Sequence, residues 1–158
     1  LKVLSKANII VADISAAKLN AAKSLGADAL IDSNKSDLSK EVMALTEGKG
    51  VIGVLDFVGN NTTISASLAA LSKLGSLVIV GAEQGGYSPS LMGALSSKSA
   101  SIYSYIGGTV ADVSAALKLA EEGQIKNEVE IYSLSDIHLA YEKLSQGSLK
   151  GRAVIQPN

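Results

Sequence analysis

Short apolar runs alternate with stretches whose apolar residues recur at helical spacing, and this alternation continues along most of the chain. Asn8-Ile9-Ile10-Val11-Ala12-Asp13 is an apolar run that closes on a carboxylate and reads as a strand. Ser15 is placed to cap a helix over Ala16 to Leu25, with Gly26 just past its end. Ala29-Leu30-Ile31-Asp32 reads as a short strand. Asp37 to Glu47 carries Leu38, Val42 and Leu45 at helical spacing and stops at Gly48. Val54 to Val58 is a buried strand ending at Gly59, Thr62 to Leu74 an Ala/Leu-rich helix stopped by Gly75, and Ser76 to Gly81 the next strand. A polar loop over 83–89 follows. Ser101 to Ile106 is a further strand, Gly107-Gly108 a turn, and Asp112 to Glu122 a helix ended by Gly123. The tail adds an amphipathic helix from Ser135 to Gln146 and a short strand from Arg152 to Ile155, while Leu1 to Lys6 reads as the last turns of a helix.

Strands alternating with helices are the pattern of βαβ units on a parallel sheet, so the fold class is α/β, a doubly wound sheet of the Rossmann type. In such a sheet an acidic residue ending the second strand accepts hydrogen bonds from an adenosine ribose, and a Gly-x-Gly-x-x-Gly turn lies about 20 residues upstream. Asp13 has the first property. No glycine occurs among the residues that precede it. The pattern therefore reads as a sheet lacking its first strand and its Gly-rich turn. In the order 3-2-1-4-5-6 that strand is central, so strands two and four lose their shared neighbour. Unpaired backbone groups are costly in a dry interior, and the chain by itself is expected to be unstable unless another segment fills the gap.

Composition narrows the reading. The 158 residues suffice for about one domain, and with 47% hydrophobic but only 4% aromatic residues the core must be aliphatic. A formal net charge of -1 argues against nucleic acid and against an anionic membrane surface as partner. No apolar run approaches the ~18 residues of a membrane span. Without cysteine there is no disulfide and no thiolate metal site, and a cytoplasmic location is the default expectation. His138, the only histidine, has no second His or Cys nearby and reads as a surface helix residue rather than a metal ligand or general base. The run Ser96-Ser97-Lys98-Ser99 is a loop or helix end, not a nucleophile motif.

Several segments, taken in order, resemble one family. Val11-Ala12-Asp13 with Lys18-Leu19 is followed by Ala22-Lys23-Ser24-Leu25-Gly26-Ala27-Asp28. Then come Gly50-Val51 leading into Val54 to Gly59, Gly75 before Leu77-Val78-Ile79-Val80-Gly81, and the ending Gly147 to Ile155. This order is similar to that of the medium-chain dehydrogenase/reductase superfamily, and within it to the zinc-dependent, NAD-linked alcohol dehydrogenases. The resemblance covers the whole chain. It implies the C-terminal, cofactor-binding part of such an enzyme, with residues 1–132 as a partial dinucleotide-binding domain. Residues 133–158 would be a helix and strand returning to a catalytic domain that this sequence does not contain.

The resemblance assigns roles residue by residue. Asp13 would clamp the adenosine ribose and disfavour the 2′-phosphate of NADP by repulsion, and Lys18 would contact the same ribose. Phe57, Val58 and Gly59 would lie over the adenosine side. Val80, Gly81 and Ala82 would present backbone to the nicotinamide carboxamide, Gly81 permitting close approach. Ser104 and Tyr105, with Ile106, would meet the nicotinamide from the next strand end, where the pair Gly107-Gly108 departs from the single glycine usual in the family. Arg152 would reach the pyrophosphate. Asp56, inside an apolar strand, reads as structural and must find hydrogen bonds if buried. No catalytic residue and no metal ligand is assigned to this chain. NAD is the implied cofactor, with zinc held in the intact enzyme by residues outside this sequence. The implied chemistry is hydride transfer between NAD(H) and an alcohol, aldehyde or ketone. The implied partner is a second copy of the chain, in a homodimer or homotetramer through the edge strand 101–106. The chain alone is expected to be inactive.

Rival readings remain at this point. A zinc-free quinone or enoyl reductase of the same superfamily shares the fold, but its members more often carry a small or basic residue where Asp13 stands. Short-chain dehydrogenases are disfavoured because no Tyr-x-x-x-Lys pair occurs. Methyltransferases also end a second strand on an acid, yet the tail after Ile131 does not suit them. A non-catalytic fragment that only mediates subunit contact is the non-enzyme reading.

Overall fold

The computed structural model describes residues 1–81, 89–149 and 151–157, with 89–91 described as backbone only. The chain divides into two compact units, Leu1–Gly107 and Gly108–Asn158.

In the first unit, β1 (Ile10–Asp13), α1 (Ala16–Ser24), β2 (Ala29–Asp32), α2 (Leu38–Leu45), β3 (Val51–Asp56), α3 (Asn61–Ala70), β4 (Leu71–Ile79), α4 (Pro89–Lys98) and β5 (Ser101–Ser104) follow one another. All of its ladders are parallel. β1 pairs with β2 in one sheet, and β3, β4 and β5 pair in that order in another. Among the described residues no ladder joins β1 to β3. What ties the two sheets is side-chain packing. Ile31, Val42 and Ala70 are buried together, and Ile10, Leu38 and Val51 pack against them, so both sheets and the helices α2 and α3 contribute. Leu68, Leu71 and Leu77 form a second aliphatic cluster against α4 and β5, with Leu77 at 0% exposure.

Local chemistry sets most helix starts. The side chains of Ser15, Asp37 and Asn60 accept the N–H groups of Lys18, Lys40 and Thr63, and Asn60 with Thr63 completes a capping box. Several boundaries differ from the sequence reading: β3 spans Val51–Asp56 rather than Val54 to Val58, β4 Leu71–Ile79 rather than Ser76 to Gly81, and β5 ends at Ser104 rather than Ile106. Leu1 to Lys6 is not a helix but a turn in which Leu4 and Ser5 donate to the Leu1 carbonyl. The helix expected to run to Leu74 stops at Ala70. The Lys98 ammonium, at the end of α4, donates to the carbonyls of Leu68 (2.9 Å), Ala69 (2.6 Å) and Leu71 (2.6 Å), satisfying groups that another helical turn would have used. Burial depresses the Lys98 pKa. The chain then crosses an irregular stretch in which Leu74 has φ 60° and the β3–β4 register shifts between Val51 and Gly53.

The second unit contains α5 (Val110–Glu121), opened by a capping box of Thr109 and Asp112, followed by a small βαβ unit. β6 (Val129–Ser133) pairs in parallel with β7 (Arg152–Gln156), and between them lie a 3-10 turn over Leu134–Asp136 and α6 (Ile137–Ser145). β6 is an element the sequence reading did not separate. Lys143 of α6 bonds Glu130 of β6 at 2.7 Å, and its ammonium lies 5.5 Å from the Tyr132 ring centroid. No helix among the described residues is long and apolar enough to cross a membrane.

Candidate nucleotide-binding site

Ligands of open α/β sheets bind outside the carboxyl ends of the strands, and the first unit presents two such ends. At the end of β1, Asp13 is half-buried. Its Oδ1 accepts the Ser15 N–H at 2.8 Å, and its Oδ2 accepts no hydrogen bond from the described residues. The carboxylate is thus anchored by one oxygen and offers the other. Ser15 also starts α1, so the bond that orients Asp13 comes from the residue that caps the following helix. Lys18 stands exposed in the first turn of α1.

The neighbouring strand end adds charge that the sequence reading passed over. Asp32 is the ladder partner of Asp13. Its Oδ1 accepts the Asn34 N–H at 3.1 Å and its Oδ2 the Lys35 ammonium at 2.9 Å. The Lys35 ammonium and then the Asn34 N–H hold the Asp32 carboxyl below its ordinary range, and Asp32 raises Lys35 in return. This turn is clipped to the Asp13 strand end, since Ser33 N–H donates to the Asp13 carbonyl at 3.2 Å and Asn34 Nδ2 to the Ile14 carbonyl at 2.7 Å. The signal was present, as Ala29-Leu30-Ile31-Asp32 is a second apolar run closing on an acid. Its weight comes from the register that sets it beside Asp13.

At the ends of β3 and β4 the organising residue is Asp56, 5% exposed. Its Oδ1 accepts Val58 N–H (2.9 Å) and Gly59 N–H (3.0 Å), while its carbonyl accepts Val80 N–H (2.8 Å) and Gly81 N–H (3.0 Å). One residue therefore shapes both loops. Its Oδ2 is buried without a partner among the described residues. The two loops meet backbone to backbone: a Cβ on Gly59, where φ is 76°, would strike the Gly81 carbonyl, and one on Gly81 would strike the Phe57 carbonyl. The missing side chain at Gly81 thus has a packing reason inside the chain. Phe57 is 70% exposed, so it is not core, and Val58, Val80, Tyr105 and Ile106 are exposed around it at the same sheet end. Ser104 ends β5 opposite Ile79, and Tyr105 N–H donates to the Ile79 carbonyl at 3.1 Å.

The structure therefore brings Phe57, Val58, Gly59, Val80 and Gly81 into two adjoining loops, with Ser104 and Tyr105 at the next strand end of the same sheet. Asp13 and Lys18 sit at the β1 end. Ala82 lies outside the described residues. Arg152 belongs to the second unit, exposed at the start of β7, with its N–H on the Glu128 carbonyl at 3.0 Å. Gly151 before it has φ 70°, and a Cβ there would strike that same carbonyl. His138 is exposed, with Nδ1 3.1 Å from the Ser135 carbonyl. Among the described residues no three His, Cys, Asp or Glu side chains are grouped as metal ligands.

A family model described as zinc-binding dehydrogenase matches residues 2–122. The chain belongs to the zinc-binding dehydrogenase family. Its relatives within this family agree with the resemblance read from the motifs. An NAD-dependent alcohol dehydrogenase of Sulfolobus acidocaldarius is 35% identical over 149 residues, which are 94% of this chain and 42% of that protein. One of Saccharolobus solfataricus is 30% identical over 99% of this chain and 45% of its own length. The crystal structure of the alcohol dehydrogenase from Aeropyrum pernix superposes with a TM-score of 0.89 at 34% identity, over 99% of this chain and 44% of that one. A quinone oxidoreductase of Pseudomonas syringae gives a TM-score of 0.77 at 26% identity, over 95% of this chain and 49% of that one. The chain spans less than half the length of the curated relatives it matches.

Proposed function

We propose that this chain is the cofactor-binding part of an NAD(H)-dependent alcohol dehydrogenase acting on small alcohols, aldehydes or ketones in the cytoplasm. The observation that carries the reading is Asp13, at the carboxyl end of a parallel strand, with one oxygen fixed by Ser15 and the other without a partner among the described residues. That arrangement suits acceptance of hydrogen bonds from the vicinal hydroxyls of a ribose and opposes a 2′-phosphate. The site fits the adenosine half of NAD, with Asp13 and Lys18 on the ribose and Phe57, Val58 and Gly59 beside the base. Val80, Gly81, Ala82, Ser104 and Tyr105 are assigned to the nicotinamide side, and Arg152 to the pyrophosphate. Bound nicotinamide supplies hydride chemistry; the residues here hold and orient it. Functionally, residues 1–132 form the cofactor domain and 133–158 the return segment, a division distinct from the packing break at Gly107.

The test is cofactor preference in the full-length protein. Asp13→Asn is expected to weaken NAD binding about tenfold while leaving NADP binding unchanged or improved. An unchanged NAD/NADP ratio in that variant refutes the clamp. The reading also includes a homodimer or homotetramer, supported by β5, whose outer edge carries no ladder among the described residues. A full-length protein that sediments as a monomer at micromolar concentration removes that part.

A further inference from the structure

The Asp32–Lys35 turn raises a question that the ribose clamp leaves open. An ammonium is held next to a site whose task, on the reading above, is to reject a phosphate. Asp32 and Asp13 are ladder partners on adjacent parallel strands, so their Cα atoms are about 4.8 Å apart and their side chains leave the same face of the sheet. Lys35 Nζ is 2.9 Å from Asp32 Oδ2. The turn is fixed against the Asp13 strand end by Ser33 N–H on the Asp13 carbonyl and Asn34 Nδ2 on the Ile14 carbonyl. The ammonium is therefore held within about one Debye length of the Asp13 carboxylate. Released from Asp32, its flexible stem would leave it free to seek another anion at the same sheet end.

We propose that Asp32 is a specificity residue for the cofactor: by holding the Lys35 ammonium in an ion pair, it keeps that cation from serving as a ligand for a 2′-phosphate, so that Asp13 decides the choice of NAD over NADP. The inference rests on the assignment of Asp13 to the adenosine ribose. Its energetic scale is modest, because Lys35 is largely exposed and exposed ion pairs are weak. Its sign is nevertheless fixed. Removing Asp32 takes away one negative charge and frees one positive charge, and both changes favour the phosphate. Removing Lys35 leaves two carboxylates side by side, which disfavours it. Removing both restores the charge of the native pair.

The experiment measures dissociation constants of 5′-AMP and 2′,5′-ADP for the full-length protein by calorimetry at low ionic strength, where exposed charges are least screened. The readout is the ratio of the two constants. Asp32→Asn is expected to shift this ratio toward 2′,5′-ADP about fivefold, Lys35→Ala to shift it toward 5′-AMP about twofold, and the double variant to lie near wild type. If both single variants keep the wild-type ratio while Asp13→Asn changes it, the role of Asp32 is overturned and the clamp stands. If Asp13→Asn leaves the ratio unchanged, the clamp itself fails and this inference falls with it. Lys35 is exposed and outside the core clusters, so its variant is expected to fold normally even where Asp32→Asn does not.

Discussion

At the carboxyl end of β1 and β2 the loops are held by side chains and carry charge: Asp13 accepts Ser15 N–H, Asp32 accepts Asn34 N–H and the Lys35 ammonium, and the Asn34 amide crosses to the Ile14 carbonyl. At the carboxyl end of β3, β4 and β5 the loops are held backbone to backbone around Asp56, and the exposed side chains are Phe57, Val58, Val80, Tyr105 and Ile106. The first kind of surface can count hydroxyls and reject an extra charge. The second offers area to flat, weakly polar rings and little to orient them. A dinucleotide needs both, because its ribose is read by hydrogen bonds and its bases are bound chiefly by contact. The difference also shows where rigidity resides. Tight glycine contacts tolerate no added atom, whereas the charged turn depends on groups that titrate.

The contrast breaks first at Gly59. Gly59→Ala places a Cβ against the Gly81 carbonyl at a φ of 76°, and is expected to cost about 3 kcal/mol in chemical denaturation. A loss below about 1 kcal/mol would mean that the two loops are not locked together. Phe57→Ala sharpens the contrast instead. With the ring 70% exposed, stability should change by less than about 0.5 kcal/mol, while 5′-AMP affinity of the full-length protein falls about fivefold. Equal affinity in the variant would leave the apolar end without a ligand-binding role. The smallest effect belongs to pH. Because Asp32 is held below the ordinary 3.8, the stability it gives its turn is complete above that value and is lost as pH falls through its depressed pKa. Lys35, raised above 10.5, contributes below that value and loses its contribution as pH rises through its elevated pKa. The Asn34 side-chain amide resonances should therefore be constant near neutrality and shift at both extremes. A shift centred near neutral pH would contradict the ion pair.

The α/β class was legible because alternating apolar runs and helical spacing are local, and caps such as Ser15 and Asp37 act within three residues. The family was legible because glycines, acids and strand ends stood in the right order. Other features were not legible. The end of α3 depends on Lys98, a residue 27 to 30 positions away from the carbonyls to which it donates, and no local pattern in Thr62 to Leu74 announces it. β6 was missed because Val129 to Ser133 is short and charged at Glu130, and its strand state is set by pairing with Arg152–Gln156. Nothing in the run Val54 to Gly59 separates a core ring at Phe57 from a ligand-facing one, and its exposure does.

The sequence by itself determined that an acidic residue closes an apolar strand ahead of a capped helix, since that grammar lies within a few bonds of Asp13. It also determined the order of strand ends that marks the family. Only the tertiary structure decided what stands beside Asp13. The parallel register puts Asp32 next to it, and the turn after β2 fixes Lys35 nearby. Likewise, Gly81 is confined by Phe57, a contact between loops that no spacing along the chain specifies. The physical reason is the same in both cases: strand pairing joins residues distant in sequence, and charges or backbones brought together in that way act on one another through space.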